Sequence, residues 1–216
     1  MAPRDFRTRL TRRAAKAGLF IPDGLSLRLT AYYELLSRWN RKINLTALND
    51  PDEAIDRLLL EPLVAARYVQ PGASRLLDVG SGGGSPAIPL ALAVPPLALT
   101  MVEVKTRKSA FLREAIRQLD LGRASVETSR YEELLARPEL HESFDIVSMR
   151  AVRVEASTLL SLQAFLAPNG QLFLFRGPSG PQIPTAVVPP LEWKATLPLI
   201  ESLQSRLTIL SKRKVG

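Results

Sequence analysis

Cysteine is absent from this 216-residue chain, and histidine occurs once, as His141. The first absence excludes disulfides, thiolate metal sites and a thiol nucleophile, and its plain reading is a reducing compartment, the cytoplasm. The lone histidine lies in the loop RPELHESFD with no second metal ligand in view, so it reads as a surface residue and no metal is expected. Long apolar runs are also missing: the best candidate, 86–102, is broken by prolines, and a span of about 18 uncharged apolar residues is what a membrane helix needs. Acids are in deficit. Asp and Glu total 21 against 29 Lys and Arg, a net charge of +8 that draws a protein toward polyanions such as nucleic acid.

Hydrophobic residues at 46% and charged residues at 23% are ordinary for a chain that folds around one main core. The basic residues are clustered: Arg4, Arg7, Arg9, Arg12, Arg13 and Lys16; Arg38, Arg41 and Lys42; Lys105, Arg107 and Lys108; Lys212, Arg213 and Lys214. The arginine-rich opening suits a basic surface helix that docks on a polyanion such as nucleic acid, with a merely solvated helix face as the alternative; a targeting segment would need an apolar stretch that does not follow.

Before Pro71 the pattern is helical. Leu29, Tyr32, Tyr33, Leu36 and Trp39 recur at three-to-four spacing, with Ser26 or Asp23 as the expected cap. A second helix is expected from about Asp52, kinked or divided at Pro62. From Arg75 short apolar strands (RLLDV, LALTMVEV, ASVET, FDIVSMR, QLFLFRG) alternate with helical stretches (PAIPLALA, KTRKSAFLREAIRQL, RYEELLA, EASTLLSLQAFL). Such alternation predicts an α/β fold, a mostly parallel sheet covered on both faces. LEWKATLPL and SRLTILSK then predict an antiparallel addition at one end of the sheet. The division expected is a helical element over 1–70 and a sheet-bearing region over 71–216, together one compact unit.

Between the first strand and its helix lies Asp78-x-Gly80-x-Gly82-x-Gly84. Small residues let a ligand lie against the main chain, and the crevice beyond the strand ends is where open α/β sheets bind ligands. A second acid, Glu103, stands 23 positions after Gly80 at the end of the next strand, where a carboxylate can accept both hydroxyls of a ribose. The nicotinamide fingerprint would need glycine or alanine at Ser85 and a pyrophosphate beside Asp78, a poor neighbour for negative charge. An acid there suits a cationic or amine-bearing nucleoside, and D-x-G-x-G-x-G resembles the first motif of S-adenosylmethionine-dependent methyltransferases.

The segments RWNRKINLTALNDPDE, LLDVGSGGGSPAIPLA, KTRKSAFLREAIRQL, SRYEEL, FDIVSMRA and LFRG resemble, in order and spacing, those of the RsmG (GidB) family. The resemblance spans roughly 25–177 and implies a Rossmann-like class I methyltransferase with a seven-stranded sheet, antiparallel at one end. It implies methylation of guanine N7 in the 530 loop of small-subunit (16S) ribosomal RNA. It also implies that Gly80 and Ser85 flank the methionine side of S-adenosylmethionine, Glu103 the ribose, Tyr131 and Glu132 the adenine, and that Arg150 belongs to the cofactor pocket. The chain departs from the family pattern at Ser85 and Ala87, which replace a bulky residue and a glycine. A second departure is Leu58, Glu61 and Pro62 in place of H-x-x-D-S.

The chemistry agrees with that target. Guanine N7 bears a lone pair and no proton, so no general base is needed and catalysis rests on orientation; the chain offers no evident acid–base dyad. Without cysteine the covalent route to pyrimidine C5 is closed, and no D-P-P-Y or N-P-P-Y motif stands where SMRA ends the fourth strand. Arg150 reads as a ligand for the cofactor carboxylate or a phosphate, or as half of an ion pair. Arg12, Arg13, Arg41, Lys42, Lys105, Arg107, Arg130 and Arg176 are the candidate RNA contacts, with solvent exposure alone as the alternative. Trp39 reads as core or as a base stacker, and Asn40 and Asn44 as turn residues. A monomer is expected. The competing functions are the same fold acting on another RNA or a small molecule, and an RNA-binding protein without turnover; a nicotinamide enzyme ranks last.

Overall fold

Leu76, Leu77 and Val79 of RLLDV are buried, and this short apolar run forms the central strand β1, Arg75–Val79. The computed structural model describes residues 3–47, 50–150, 154–178 and 187–213. Lys214 and the side chain of Arg4 lie outside what is described. The remaining strands are β2 (Ala98–Val102), β3 (Ala124–Glu127), β4 (Phe144–Arg150), β5 (Leu166–Arg176), β6 (Leu191–Pro198) and β7 (Arg206–Lys212). Their order is β3-β2-β1-β4-β5-β7-β6; the first five strands in that order are mutually parallel, and β7 runs antiparallel to both β5 and β6. The order reverses between β1 and β4. That is the switch point at which the crevice of an open sheet receives a ligand.

Helices α1 (Pro3–Lys16), α2 (Asp23–Ile43), α3 (Pro51–Ile55), α4 (Glu61–Ala65), α5 (Ala87–Ala93) and α6 (Thr106–Gln118) cover one face. Helices α7 (Tyr131–Leu134) and α8 (Ala156–Phe165) cover the other. Alternation along the strands divides the core accordingly: Leu76, Leu99, Ile146 and Phe173 pack under the first group, Leu77, Val102, Val147 and Leu172 under the second. Phe6 and Leu10 of α1 and Leu29, Tyr32 and Leu35 of α2 belong to the same continuous cluster as Leu76, and Phe6 stacks on Tyr33 at 4.4 Å.

Two local expectations need correction. Neither Ser26 nor Asp23 caps α2: Pro22 stands at the N-cap and Asp23 is already helical. Ser26, one turn in, is buried, and its carbonyl accepts from Thr30 Oγ1 at 2.7 Å. Nor does Pro62 simply divide its helix. A π-helical turn, Asp56–Leu60, joins α3 to α4. Pro62 has no N–H for the Leu58 carbonyl one turn back, and the wider turn accommodates its ring while leaving carbonyls open to other donors.

Candidate functional site

The loop after β1 folds back over β2, because the N–H groups of Gly80 and Ser81 both donate to the Val102 carbonyl, at 2.9 and 3.0 Å. Gly80, Gly82 and Gly84 all have positive φ, but they serve different ends. Nothing lies within 4 Å of where a Gly80 Cβ would stand, so the backbone there is open to a ligand. A Cβ on Gly84 would meet Ile88 Cδ1 at 2.6 Å and Leu112 Cδ2 at 3.3 Å, so this glycine permits close packing of α5 and α6. Gly84 also accepts from the Ile88 N–H at 2.7 Å, which occupies one of the donors at the start of α5.

Glu103 leaves β2 nearly buried and latches this loop. Its Oε2 accepts from Gly82 N–H at 2.9 Å and its Oε1 from Lys105 N–H at 2.8 Å. A carboxylate offers about four lone-pair sites, so each oxygen keeps one for a ligand hydroxyl. Asp78 is buried, with Oδ1 accepting from Ser148 Oγ at 2.5 Å and Oδ2 lacking any partner among the described residues. Burial pushes its carboxyl above the ordinary aspartate value, against the pull of Ser148 and Arg150.

Arg150 ends β4 and pairs with Glu61, a buried acid on α4; its Nη2 donates to the Arg57 carbonyl at 3.1 Å, and its guanidinium lies 5.2 Å from the Phe175 ring centroid. Of the two sequence readings, the ion pair is the one formed here. Arg150 nevertheless lines a cavity of about 310 Å³ together with Gly80, Gly82 and Ser85. Ser85 Oγ donates to the Leu58 carbonyl at 2.8 Å, so Pro62's missing N–H leaves an acceptor that Ser85 satisfies.

Not every predicted residue reaches this cavity: Asp78, Gly84 and Glu103 shape the loop beside it without lining it. Tyr131, half-buried, and Glu132, exposed, start α7 beyond β3 and do not line it, although they share the same edge of the sheet. Burial raises the Tyr131 phenol. Two lining segments were not assigned to the cavity by the sequence reading. The 45–47 segment forms one wall, held by Asn40 Oδ1, which accepts from Thr46 N–H at 2.8 Å, and by the left-handed Asn44 that ends α2. Arg57 and Leu58 of the π turn form another, with Glu61 behind them. A lone acid inside LLLEPLV was the available signal, since a buried charge must find a partner. Tyr32, fully buried, donates to the Gly83 carbonyl at 2.6 Å and fixes the loop to α2.

Among the candidate RNA contacts, Arg13 is corrected. It binds Asp56 through both Nε (2.6 Å) and Nη2, and Asp52 at 2.8 Å, so it ties α1 to the π turn and is not free for phosphate. Hydrogen bonding to Asp56 raises its pKa. Arg12 is mostly exposed, 3.9 Å from Asp52. Arg41, Lys42, Lys105, Arg107 and Arg130 are exposed, and Arg176 is half-buried. Trp39 is half-buried, edge-on to Phe111 at 5.9 Å and bonded through Nε1 to Glu114 at 3.1 Å, which makes it a joint between α2 and α6. His141 is exposed, its Nε2 2.8 Å from the Leu135 carbonyl. Among the described residues no group of three or more His, Cys, Asp or Glu is placed to hold a metal ion, and no helix is long and apolar enough to cross a membrane.

The fold resembles a SAM dependent methyltransferase from Aquifex aeolicus, with a TM-score of 0.57 at 14% identity over 77% of this chain and 95% of that one. It also resembles a chain of a fibrillarin/Nop5p complex, with a TM-score of 0.51 at 15% identity over 71% and 83%. In sequence it is 42% identical over 149 residues to the ribosomal RNA small subunit methyltransferase G of Xanthomonas axonopodis pv. citri, covering 69% of this chain and 68% of that protein. The protein of the same name from Ralstonia nicotianae is 38% identical over 182 residues, 80% of this chain and 79% of its own. The profile of the GidB family, rRNA small subunit methyltransferase G, matches residues 26–182, and the chain therefore belongs to that family.

Proposed function

We propose that this chain transfers the methyl group of S-adenosylmethionine to N7 of a guanine in the 530 loop of 16S ribosomal RNA, acting in the cytoplasm as a monomer. In this reading residues 1–70 and 71–216 work as one unit. The observation that carries the reading is the crevice at the switch point, where an open Gly80 backbone, a latched Glu103 and a buried Asp78 with one unanswered oxygen converge. Such a donor set fits a nucleoside that bears an amine and a positive charge. The bound cofactor supplies an electrophilic sulfonium methyl.

The residues of the chain then have positioning roles. Gly80 and Gly82 let the ligand lie against main chain, with Gly84 and Ser85 holding the loop's shape. Glu103 takes the ribose hydroxyls on its remaining lone pairs, and Asp78 supplies negative potential beneath the amine. Tyr131 and Glu132 stand where β3 ends and border the adenine. Arg150, held by Glu61, contributes fixed positive charge at the cavity wall. N7 needs no proton removed, so no residue has to act as base, and rate comes from alignment. Arg12, Arg41, Lys42, Lys105, Arg107 and Arg130 offer exposed charge to the RNA backbone.

Transfer of labelled methyl from S-adenosylmethionine to small-subunit RNA, naked and assembled, followed by nucleoside analysis, tests donor, acceptor and position together. The expected product is 7-methylguanosine in the 530 loop. Label in another nucleoside overturns the assigned target, and cofactor binding without transfer to either RNA overturns the assigned activity.

A further inference from the structure

Arg176 closes β5 and Arg206 opens β7, and the antiparallel register sets the two residues directly opposite one another. Phe173 and Phe175 belong to the cluster under α1 to α6, whereas Leu172 and Leu174 belong to the one under α7 and α8. Alternation therefore puts Arg176 on the α7–α8 face, and Arg206, which precedes Leu207 of the first cluster, stands on that face beside it. Like charges directly across a pair of strands repel.

No acid relieves this pair among the described residues. Arg206 Nη2 donates to the Pro178 carbonyl at 2.7 Å, which anchors its guanidinium against the turn after β5. Arg176 is half-buried and its Nε is buried with no partner among the described residues. Desolvation first, and then the charge of Arg206, hold the Arg176 guanidinium below its ordinary pKa. A cation withdrawn from water, facing a second cation and lacking a counter-ion, is a cost to the free protein.

The pair also stands at an informative place. Phe175, the residue before Arg176, is in register with Arg150 and carries that guanidinium over its ring. Arg176 and Arg206 thus sit one residue beyond the strand position that backs the glycine-loop cavity, across the edge of the sheet from it. A chain that enters the cavity at one point and continues over the strand ends would meet them. Two guanidinium forks, that of Arg206 anchored by the Pro178 carbonyl, match the paired oxygens of a phosphodiester.

We propose that Arg176 and Arg206 form a phosphodiester subsite that grips the backbone of the RNA whose guanine reaches the glycine-loop cavity. The subsite rests on the function proposed above. It differs from the exposed basic residues in being built: the cations are held together without RNA, by Pro178 on one side and the strand register on the other, so the phosphate meets a preformed pair. Arg176 was marked by its place at a strand end, whereas Arg206 gave no signal in the sequence.

The test uses the full chain and the Arg176→Gln, Arg206→Gln and doubly substituted forms. Binding of small-subunit RNA is measured across a salt series, with calorimetry of S-adenosylmethionine and thermal unfolding alongside. The double variant is expected to bind RNA about tenfold more weakly with a salt slope reduced by about 2, while cofactor affinity stays within about twofold and the melting temperature holds or rises. Arg176→Lys, which keeps charge but not the fork, should restore the slope more than the affinity. Unchanged RNA affinity and slope in the double variant, or an equal loss of cofactor and RNA binding, overturns the subsite alone. Failure of the unsubstituted chain to bind the RNA overturns the subsite and the proposed function together.

Discussion

Glu61 and Arg150 are 89 residues apart in the chain and meet as an ion pair behind the glycine-loop cavity, with Glu61 almost wholly out of water. Removing one member of such a pair strands the other. Glu61→Ala is expected to cost about 3 kcal/mol in chemical unfolding, and Glu61→Gln, which keeps an acceptor, roughly half of that. Replacing both residues with apolar ones of similar volume should recover most of the stability but not the cofactor affinity. Additive losses in the double variant would show that the two side chains are not coupled.

A second coupling links Ser85 to Pro62. Pro62 lacks the N–H that would serve the Leu58 carbonyl, and Ser85 Oγ donates to that carbonyl at 2.8 Å. Ser85→Ala leaves a carbonyl unmet and should cost about 1 to 2 kcal/mol. In a Pro62→Ala background the chain regains a donor, so the same substitution should cost about 1 kcal/mol less. Equal costs in the two backgrounds, measured by denaturant unfolding, would dissociate the residues. Of the departures from the family pattern, those at positions 62 and 85 are on this account one adjustment made on two elements.

The glycines separate stability from binding. Gly80→Ala meets nothing within 4 Å, so its cost is the positive φ of +75°, about 1 kcal/mol, with a much larger fall in cofactor affinity. Gly84→Ala combines a φ of +85° with a contact of 2.6 Å to Ile88 Cδ1, and should lose about 2 to 3 kcal/mol while any folded fraction still binds. Thermal unfolding paired with calorimetry distinguishes them. A Gly80→Ala form that binds S-adenosylmethionine normally would mean that the open backbone there is not a ligand surface.

Much of the sheet was legible because strand and helix periods are local. The run RLLDV, the glycine loop and Glu103 sit where their spacing put them, and the antiparallel end followed from two strand-like runs with no helix between. Arg13 shows what was not legible. Its basic neighbours made it look free, yet its partners Asp52 and Asp56 stand 39 and 43 positions away. Nothing in local spacing reports which acid a crossing helix will meet. The same holds for Glu61, which an apolar run marks as needing a partner without naming Arg150, and for the cavity wall at 45–47, which depends on how α2 ends at the left-handed Asn44. Tyr131 and Glu132 lie at the expected strand end without lining the cavity: Tyr131 packs against the α7–α8 cluster and Glu132 is exposed.

Asp78 offers the test that bears most directly on the cofactor. Its carboxyl is held above the ordinary aspartate value of 3.8 by burial, the largest influence on it. The folded chain therefore binds a proton that the unfolded chain has released, and folding stability falls as pH rises from the unfolded value through the raised folded one. Above that range the burial of the carboxylate opposes folding. Asp78→Asn keeps an acceptor for Ser148 Oγ and removes the titration, so the variant should lose this fall in stability and be as stable as the parent at neutral pH, or more so. Its affinity for S-adenosylmethionine should drop by about tenfold or more, the size of a lost charge-assisted contact. Unfolding followed from acid to neutral pH, with calorimetry at neutral pH, reads both quantities. A variant that is less stable at neutral pH and binds the cofactor as before would make Asp78 a structural acid. A stable variant that no longer binds would mean that the chain tolerates an unfavourable charge there because a cationic ligand answers it.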